Sequence, residues 1–150
     1  MEETFQEKIY SLIPITEYMG IQVELLGKEK VILSAKLDKN KNHRNTAFGG
    51  SIASIGLLCG WAAIINRFEH SLIEGEVVAK DMNVEFYRPV KKDFKAICKL
   101  PEKEKWDEFI NELQTFGKSK IVLESTINSG EEEAALVTGT YVCIASTFRF

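Results

Sequence analysis

Cysteine, histidine and proline are scarce in this sequence of 150 residues. It contains three cysteines, two histidines and three prolines. The cysteines, at positions 59, 98 and 143, are odd in number, widely spaced and free of any Cys-x-x-Cys pair. They are therefore interpreted as small buried side chains in a reducing compartment, not as a disulfide framework. No group of His, Cys, Asp and Glu has the spacing of metal ligands, and we expect neither a metal nor a cofactor.

A strong excess of one charge is also missing. The 19 basic and 22 acidic residues leave a net charge of -3, without a basic stripe, so nucleic acid is not an expected partner. The first residues lack the basic and apolar segments of a signal peptide, and no lipidation motif is present. We expect a cytoplasmic protein whose residues 1–150 form one domain, since 45% hydrophobic content suffices for a sizeable core.

The longest uncharged segment covers residues 45–66, and its part from 51 to 66 is apolar on every side. As a helix this part would measure roughly 24 Å, which is short of the ~30 Å hydrocarbon core of a membrane. Small residues also interrupt it, so we expect a core helix that other elements surround, and no membrane as a partner. The small residues within the segment suit a helix that another backbone approaches closely. They are Ser51, Ser54, Gly56 and Gly60.

Alternating apolar and polar residues predict about six strands, most of them joined by hairpins. A short one-sided helix is predicted over 4–13, and a peripheral helix is predicted to end at Gly117. Together with the apolar helix, these elements predict an antiparallel α+β fold whose sheet rolls over that helix. The predicted strands cover residues 21–25, 31–37, 76–88, 94–100, 120–127 and 134–146.

A polar loop leads through Gly49 and Gly50 into the apolar helix. The first backbone N–H groups of a helix have no partner within it, so they can stabilise negative charge that develops on a carbonyl oxygen. Alternatively, the two glycines only allow the loop to turn tightly. Ser51 has no base nearby in sequence and is interpreted as the helix cap, not as a nucleophile.

Four short motifs carry a resemblance to a known family. They are Asn-Thr-Ala-Phe-Gly-Gly-Ser at 45–51, Cys-Gly-Trp at 59–61, Phe-Tyr-Arg-Pro-Val at 86–90 and Thr-Gly-Thr-Tyr at 138–141. From about residue 14 to residue 144 the chain resembles the hotdog-fold thioesterases, and most closely the domain typified by the YiiD C-terminal region. The resemblance implies an antiparallel sheet wrapped around a long central helix. It also implies acyl-CoA or acyl carrier protein substrates, and a homodimer or dimer of dimers with sites at the subunit seam.

Two positions depart from the pattern of related phenylacetyl-type hotdog thioesterases. In those enzymes an Asn and a Thr precede His-Gly-Gly at the helix start, and a carboxylate follows further along the helix. Phe48 stands where the histidine is expected, and Leu57 where the water-activating carboxylate is expected. The corresponding positions of the loop pattern are Asn42, Thr46, Phe48, Gly49 and Gly50.

The remaining polar residues leave alternatives open. Asn42 can orient water or the carbonyl, or it can shape the loop. Asn45 and Thr46 can bind substrate or hold the loop. His43 can act as a base, or it can lie at a solvated loop tip and meet a phosphate of coenzyme A. Asp81 can replace the missing carboxylate only if its face of the strand points inward at a dimer seam.

The leading hypothesis is a thioesterase whose acyl chain lies along Ile52, Ile55, Leu58 or their neighbours. Its candidate catalytic residues are Asn42, Gly49, Gly50 and Asp81, and its candidate substrate contacts are His43, Asn45, Thr46, Phe48 and Ser51. One rival is a module that binds acyl thioesters without hydrolysing them, because the helix carboxylate is absent. The other is an enoyl-thioester hydratase or dehydratase, a chemistry that needs a well-placed acid or base.

Overall fold

A computed structural model describes residues 2–146 of the chain. It contains five helices and six strands within those residues. In chain order they are α1 (Glu2–Leu12), α2 (Ile15–Tyr18), β1 (Gln22–Leu26), β2 (Lys30–Ala35), α3 (Leu37–Asn40), α4 (Gly49–Glu69), β3 (Gly75–Phe86), β4 (Phe94–Lys99), α5 (Lys103–Phe116), β5 (Lys118–Ser129) and β6 (Glu132–Ala145).

The six strands form one sheet in the order β1-β2-β4-β5-β6-β3. Every pair of neighbouring strands is antiparallel. Helix α4 contacts β2, β3, β4, β5 and β6, because the curved sheet passes around it. The predicted α+β fold, an antiparallel sheet wrapped around a long apolar helix, is confirmed.

Two glycines allow α4 to lie close to strand β6. A Cβ atom built on Gly56 would lie 2.4 Å from Cγ2 of Val137, and one built on Gly60 would lie 2.1 Å from the hydroxyl of Tyr141. That hydroxyl donates a hydrogen bond to the carbonyl oxygen of Leu57, at 2.6 Å. Small residues at these positions were expected to admit a neighbouring backbone. The structure shows instead that they admit two side chains of β6.

One stripe of α4 is not covered by the sheet. Gly50 and Ser54 are exposed on it, and Ala53, Leu57 and Trp61 are half-buried. The prediction of a helix without any open face was therefore wrong for this stripe. By length and composition α4 could also cross a membrane, but the core helix of a folded domain passes the same test, and 56% of its apolar window is buried here.

The start of α4 differs from the sequence-based expectation. Phe48 has an extended backbone (φ −62°, ψ 132°) and precedes the first helical residue, Gly49. Ser51 therefore lies in the first turn, where its own N–H donates to the carbonyl oxygen of Phe48. The interpretation of Ser51 as the helix cap was wrong. The four-residue helices α2 and α3 were not predicted either, because so short a segment shows no periodicity.

All three cysteines are free and buried, as expected. Burial raises the pKa of Cys98 to about 11 and the pKa of Cys143 to about 12, and it also raises the pKa of Cys59. Thiolates, not thiols, react with alkylating reagents. We therefore expect the folded protein at pH 8 to resist iodoacetamide, and the protein in concentrated urea to incorporate three carbamidomethyl groups by mass spectrometry. Rapid labelling of the folded protein would contradict this burial.

Candidate active site

The loop that precedes α4 is a compact turn organised by Asn42. Lys41 and Ala47 form an isolated antiparallel bridge across its base. The Asn42 N–H donates to the carbonyl oxygen of Thr46 at 2.8 Å, and the Asn42 side-chain amide donates to Oγ1 of Thr46 at 2.9 Å. Oδ1 of Asn42 accepts from the backbone N–H groups of Arg44 and Thr46. Asn42 and Thr46 therefore hold the loop in shape, and their side chains are bonded to each other.

The tip of this loop is open to solvent. Asn45 has a left-handed backbone (φ 60°), a conformation that asparagine tolerates better than most residues, and its N–H donates to the carbonyl oxygen of Asn42. The side chains of His43 and Asn45 are both exposed. The structure thus places these two predicted substrate contacts on the outer side of the loop.

The end of the loop is fastened to the body of the protein. The Ala47 N–H donates to the carbonyl oxygen of Val90 at 2.8 Å, and the Phe48 N–H donates to that of Asn40 at 2.7 Å. Both bonds immediately precede α4, so they fix the position from which the helix begins.

Two backbone donors are left over at the start of α4. The N–H groups of Ser51 and Ile52 both donate to the carbonyl oxygen of Phe48. Within residues 2–146, neither the Gly49 N–H nor the Gly50 N–H has an acceptor. These amides lie at the positive end of the helix dipole. They are free to bind an oxygen that carries partial or full negative charge.

Two aromatic rings flank these donors. A Cβ atom on Gly49 would lie 3.4 Å from the ring of Phe86, and one on Gly50 would lie 2.4 Å from the ring of Phe48. Both rings are more than half exposed, at 58% and 57% respectively. Sequence analysis placed Phe48 at the site but missed Phe86, although Phe86 opens one of the motifs that carried the family resemblance. The rings give the two amides an apolar border.

An apolar cavity of about 250 Å³ lies along the open stripe of α4. Ser54, one turn beyond Gly50, lines its wall and donates from Oγ to the Gly50 carbonyl oxygen at 2.7 Å. The other wall residues come from α4, from the N-terminal segment and from two strands. They are Leu57, Leu58 and Trp61; Ile13, Ile15, Thr16, Met19 and Ile21; and Ala79 and Tyr141.

The position of this cavity corrects one expectation and extends another. Ile52 and Ile55 are 3% and 0% exposed and point into the core, so these two of the three residues named for the acyl chain do not line the cavity. Leu58 does line the cavity, together with Leu57 and Trp61. The contribution of residues 13–21 was not foreseen, because sequence spacing does not show which end of a sheet an N-terminal helix covers.

Asp81 lies on the outer face of the sheet. It pairs with Thr140 across β3 and β6, after an irregularity between Ala79 and Asp81. Directly opposed residues share a face, and Val137 and Tyr141 on the same strand as Thr140 point towards α4. Thr140 and Asp81 therefore point away from α4. The structure does not bring Asp81 together with Gly49 and Gly50 in this chain.

No Asp, Glu, His, Lys or Arg of the described part of the chain lines the cavity. Its one titratable side chain is Tyr141, whose hydroxyl is bonded to Leu57 and whose pKa is raised by burial. Nor do three His, Cys, Asp or Glu side chains meet as metal ligands anywhere in residues 2–146. The arrangement combines two free backbone donors with an apolar chamber that fits a hydrocarbon group.

Solved structures with the same fold come from several bacteria. A protein of unknown function from Chlorobaculum tepidum superposes with a TM-score of 0.89 at 24% identity, covering 95% of this chain and 93% of that one. A protein described as a putative thioesterase, from Shewanella oneidensis, gives 0.86 at 25% identity, covering 95% and 96%. A Pseudomonas aeruginosa protein titled "Probable Thioesterase" gives 0.84 at 22% identity, covering 95% of each chain.

The sequence itself matches a thioesterase family. The match runs over residues 2–145 and includes the loop, the free amides and every wall of the apolar cavity. It confirms the resemblance inferred from the short motifs, and the fold is the hotdog fold that this resemblance implied. The chain therefore belongs to the family described as "Putative thioesterase (yiiD_Cterm)".

Proposed function

We propose that the protein hydrolyses the thioester of an acyl group carried on coenzyme A or on acyl carrier protein. The observation that supports this most directly is the pair of acceptor-free amides of Gly49 and Gly50 beside an apolar cavity. The thioester carbonyl oxygen accepts from one or both amides, and the acyl chain enters the cavity past Ser54. The thiol side of the ester then points out along the loop.

In this reaction a water oxygen bonds to the carbonyl carbon, and the carbonyl oxygen becomes an oxyanion. Donors already in place are worth more to the oxyanion than to the neutral carbonyl, so they lower the barrier. One such donor typically contributes ~3 kcal/mol. The C–S bond then breaks, the sulfur takes up the proton that the water has lost, and a free acid and a free thiol are released.

The small cavity favours a compact acyl group. Its volume of about 250 Å³ lies below the range of roughly 300–1,000 Å³ that is usual for sites of drug-sized ligands. On a panel of acyl-CoAs and acyl carrier proteins, we expect hydrolysis to be fastest with short or medium chains.

Leu57→Trp, which fills the cavity, should lower kcat/KM for medium chains about tenfold or more while sparing acetyl thioesters, because pocket volume limits chain length. Absence of turnover with every thioester would contradict the proposal.

A binding module without turnover is the second candidate function. The apolar Leu57, in place of the carboxylate, and a cavity wall without an acid or base favour it. This candidate predicts saturable binding of a non-hydrolysable acyl-CoA analogue, together with hydrolysis at the uncatalysed rate. The enoyl hydratase alternative lacks such support, since Phe48 offers no proton donor where that chemistry needs one.

We also propose that two copies of the chain assemble through β3. This strand ends the sheet, and its outer edge has no partner strand within residues 2–146. Long edges with exposed apolar residues pair readily with other strands. Val78, Met82 and Phe86 are exposed on β3, and Ile15, which lines the cavity together with Ala79 of β3, is exposed as well. A second copy on this edge would cover these exposed apolar residues.

Substitution of this edge should yield monomers. The double variant Val78→Glu and Met82→Glu places a charge on each face of β3, and we expect sedimentation to show dissociation and activity to fall at least about tenfold. Val122→Glu is the matched control, because Val122 is exposed to a similar degree on the inner strand β5. If the double variant retains the wild-type mass in solution, β3 is not the interface.

A further inference from the structure

The apolar cavity follows α4 away from the free amides. Four residues of α4 line it at intervals of three or four, which places them on one face of the helix. They are Ser54, Leu57, Leu58 and Trp61. Ser54 lies one turn beyond Gly50, and Trp61 lies seven residues further, roughly 10 Å along the helix axis. Trp61 is therefore the lining residue of α4 that lies farthest from the amides.

Along α4 the cavity ends at Trp61. The next residue on the same face, Ile65, is half-buried and does not line the cavity, and neither does any later residue of α4. Helix α1 lies beside this part of α4, since Lys8 forms an ion pair with Glu69, the last residue of α4. Ile13, which follows α1, lines the cavity. The indole of Trp61 is thus the last side chain that α4 presents to this space.

Strand β3 holds the indole in place. The ring of Phe86 borders Gly49, whereas the carbonyl oxygen of Val77 accepts a hydrogen bond from Nε1 of Trp61 at 3.2 Å. β3 therefore runs antiparallel to α4, and its first residues lie beside Trp61. Val77 is buried, so this bond ties the half-buried ring to the core of the protein. Ala79, two residues after Val77, lines the same end of the cavity.

Within residues 2–146, every side-chain donor of the cavity wall is already engaged. The hydroxyls of Thr16, Ser54 and Tyr141 each donate to a backbone carbonyl oxygen. The indole N–H of Trp61 does the same. Each of these groups has one proton to donate. A hydroxyl or carboxyl on the far part of an acyl chain would find no side-chain donor here and would lose its hydrogen bonds to water. The wall therefore suits an unsubstituted hydrocarbon that ends in a methyl group.

We propose that Trp61 sets the maximum length of the acyl chain, because the methyl end of the chain meets the indole and cannot extend past it. The inference rests on the proposed thioester hydrolysis and names the residue that selects among acyl chains. A longer chain must either displace the ring from its bond to Val77 or leave methylenes in water. One methylene more or less in a hydrophobic pocket changes kcat/KM by roughly 10- to 200-fold.

The test alters the end of the cavity in both directions. Trp61→Leu removes the ring, and Ala79→Leu adds bulk at an exposed position of the same wall. The measurement is kcat/KM for straight-chain acyl thioesters of increasing length. We expect Trp61→Leu to raise kcat/KM at least about tenfold for chains longer than the wild-type optimum. Ala79→Leu should lower kcat/KM by a similar factor for chains at that optimum.

Two further variants serve as controls. Ile65→Ala shortens a side chain one turn further along the same face of α4, outside the cavity, so it should keep the wild-type length preference. Trp61→Phe removes the N–H but keeps an aromatic ring, so it should shift the preference less than Trp61→Leu does. Thermal unfolding shows whether each variant is folded. If Trp61→Leu does not fold, Ala79→Leu still tests the same end of the cavity.

Binding measurements separate this inference from the proposed function. Titration calorimetry gives the affinity for acyl-CoA thioethers, which cannot be hydrolysed. If thioesters are hydrolysed but Trp61→Leu and Ala79→Leu keep the wild-type length preference, the role of Trp61 is overturned and hydrolysis stands. If no thioester is hydrolysed but Trp61→Leu extends the longest thioether that binds, the role of Trp61 stands and hydrolysis fails. An equal shift in Ile65→Ala overturns the inference, since it indicates a general loosening of α4.

Discussion

Replacement of Gly49 by proline is expected to lower kcat about 10²- to 10³-fold, the loss seen when one oxyanion donor is removed. Proline has no backbone N–H, so the substitution deletes one of the two amides that have no acceptor. The measurement is the steady-state rate with the best acyl thioester, at saturating substrate. KM should change much less, since a neutral carbonyl gains less from the donor than the oxyanion does.

The structure indicates that this variant folds. Gly49 is the first residue of α4, and proline is favoured at that position. The preceding residue, Phe48, has φ −62° and ψ 132°, a conformation that a following proline permits. A Cβ atom at Gly49 would lie 3.4 Å from Phe86, which leaves the ring room to shift slightly. The melting temperature should therefore stay near that of the unsubstituted protein.

Gly49→Ala is the matched control, because it adds a Cβ atom and keeps the N–H. We expect it to retain most of the activity. If Gly49→Pro and Gly49→Ala are equally active, the Gly49 amide makes no contribution to the transition state. If both are equally impaired, space beside Phe86 matters and the hydrogen bond does not.

Gly60→Ala is expected to give the largest loss of stability, about 2–4 kcal/mol. The new Cβ atom would lie 2.1 Å from the hydroxyl and 2.6 Å from Cζ of Tyr141, which is 1% exposed. The ring must move, which strains a packed core and breaks the bond from its hydroxyl to Leu57. These costs exceed the gain of about 1 kcal/mol in helix propensity from glycine to alanine. Thermal unfolding should show Tm lower by about 5–15 °C.

A double-mutant cycle identifies the cause of this loss. Tyr141→Phe removes the nearest atom and leaves Cζ at 2.6 Å, so it should relieve part of the strain. We expect Gly60→Ala and Tyr141→Phe together to cost less than the sum of the single variants, with a coupling of about 1 kcal/mol. Gly49→Ala, where the added atom meets only ordinary contact distances, provides the stability control. If the two losses of stability add without coupling, the strain in Gly60→Ala does not come from contact with the hydroxyl of Tyr141.

Local sequence patterns predicted the elements of this fold well. Alternation of apolar residues located all six strands, and Gly117, with its left-handed backbone (φ 76°), ended α5 as expected. The patterns did not predict the ends of α4, because tertiary contacts determine them. The helix α4 extends to Gly49 and Glu69 because Phe48 is held by Asn40 at one end and the chain stays buried at Phe68 near the other. Asn40 lies outside the helix, so the pattern of residues within the helix does not show where it begins.

In the candidate site, too, some features were predicted from the sequence and others depend on tertiary contacts. The pair Gly49-Gly50 was singled out from the sequence, but only the structure shows that neither amide has an acceptor within residues 2–146. Asn42 was left between two roles, and its hydrogen bonds now show that it shapes the loop. The orientation of Asp81 could not be predicted, because it depends on which face of β3 points to α4. The burial of Ile52 and Ile55 could not be predicted either, because it depends on which side of α4 stays open.

The sequence alone determined the class of fold, the central helix and the glycine pair that precedes or begins it, because these follow from periodicity and from residue types within one segment. Only the tertiary structure decided where the apolar cavity runs and that Phe86 borders the amides. Those features join residues far apart in the chain, and the curvature of the sheet around α4 brings them together.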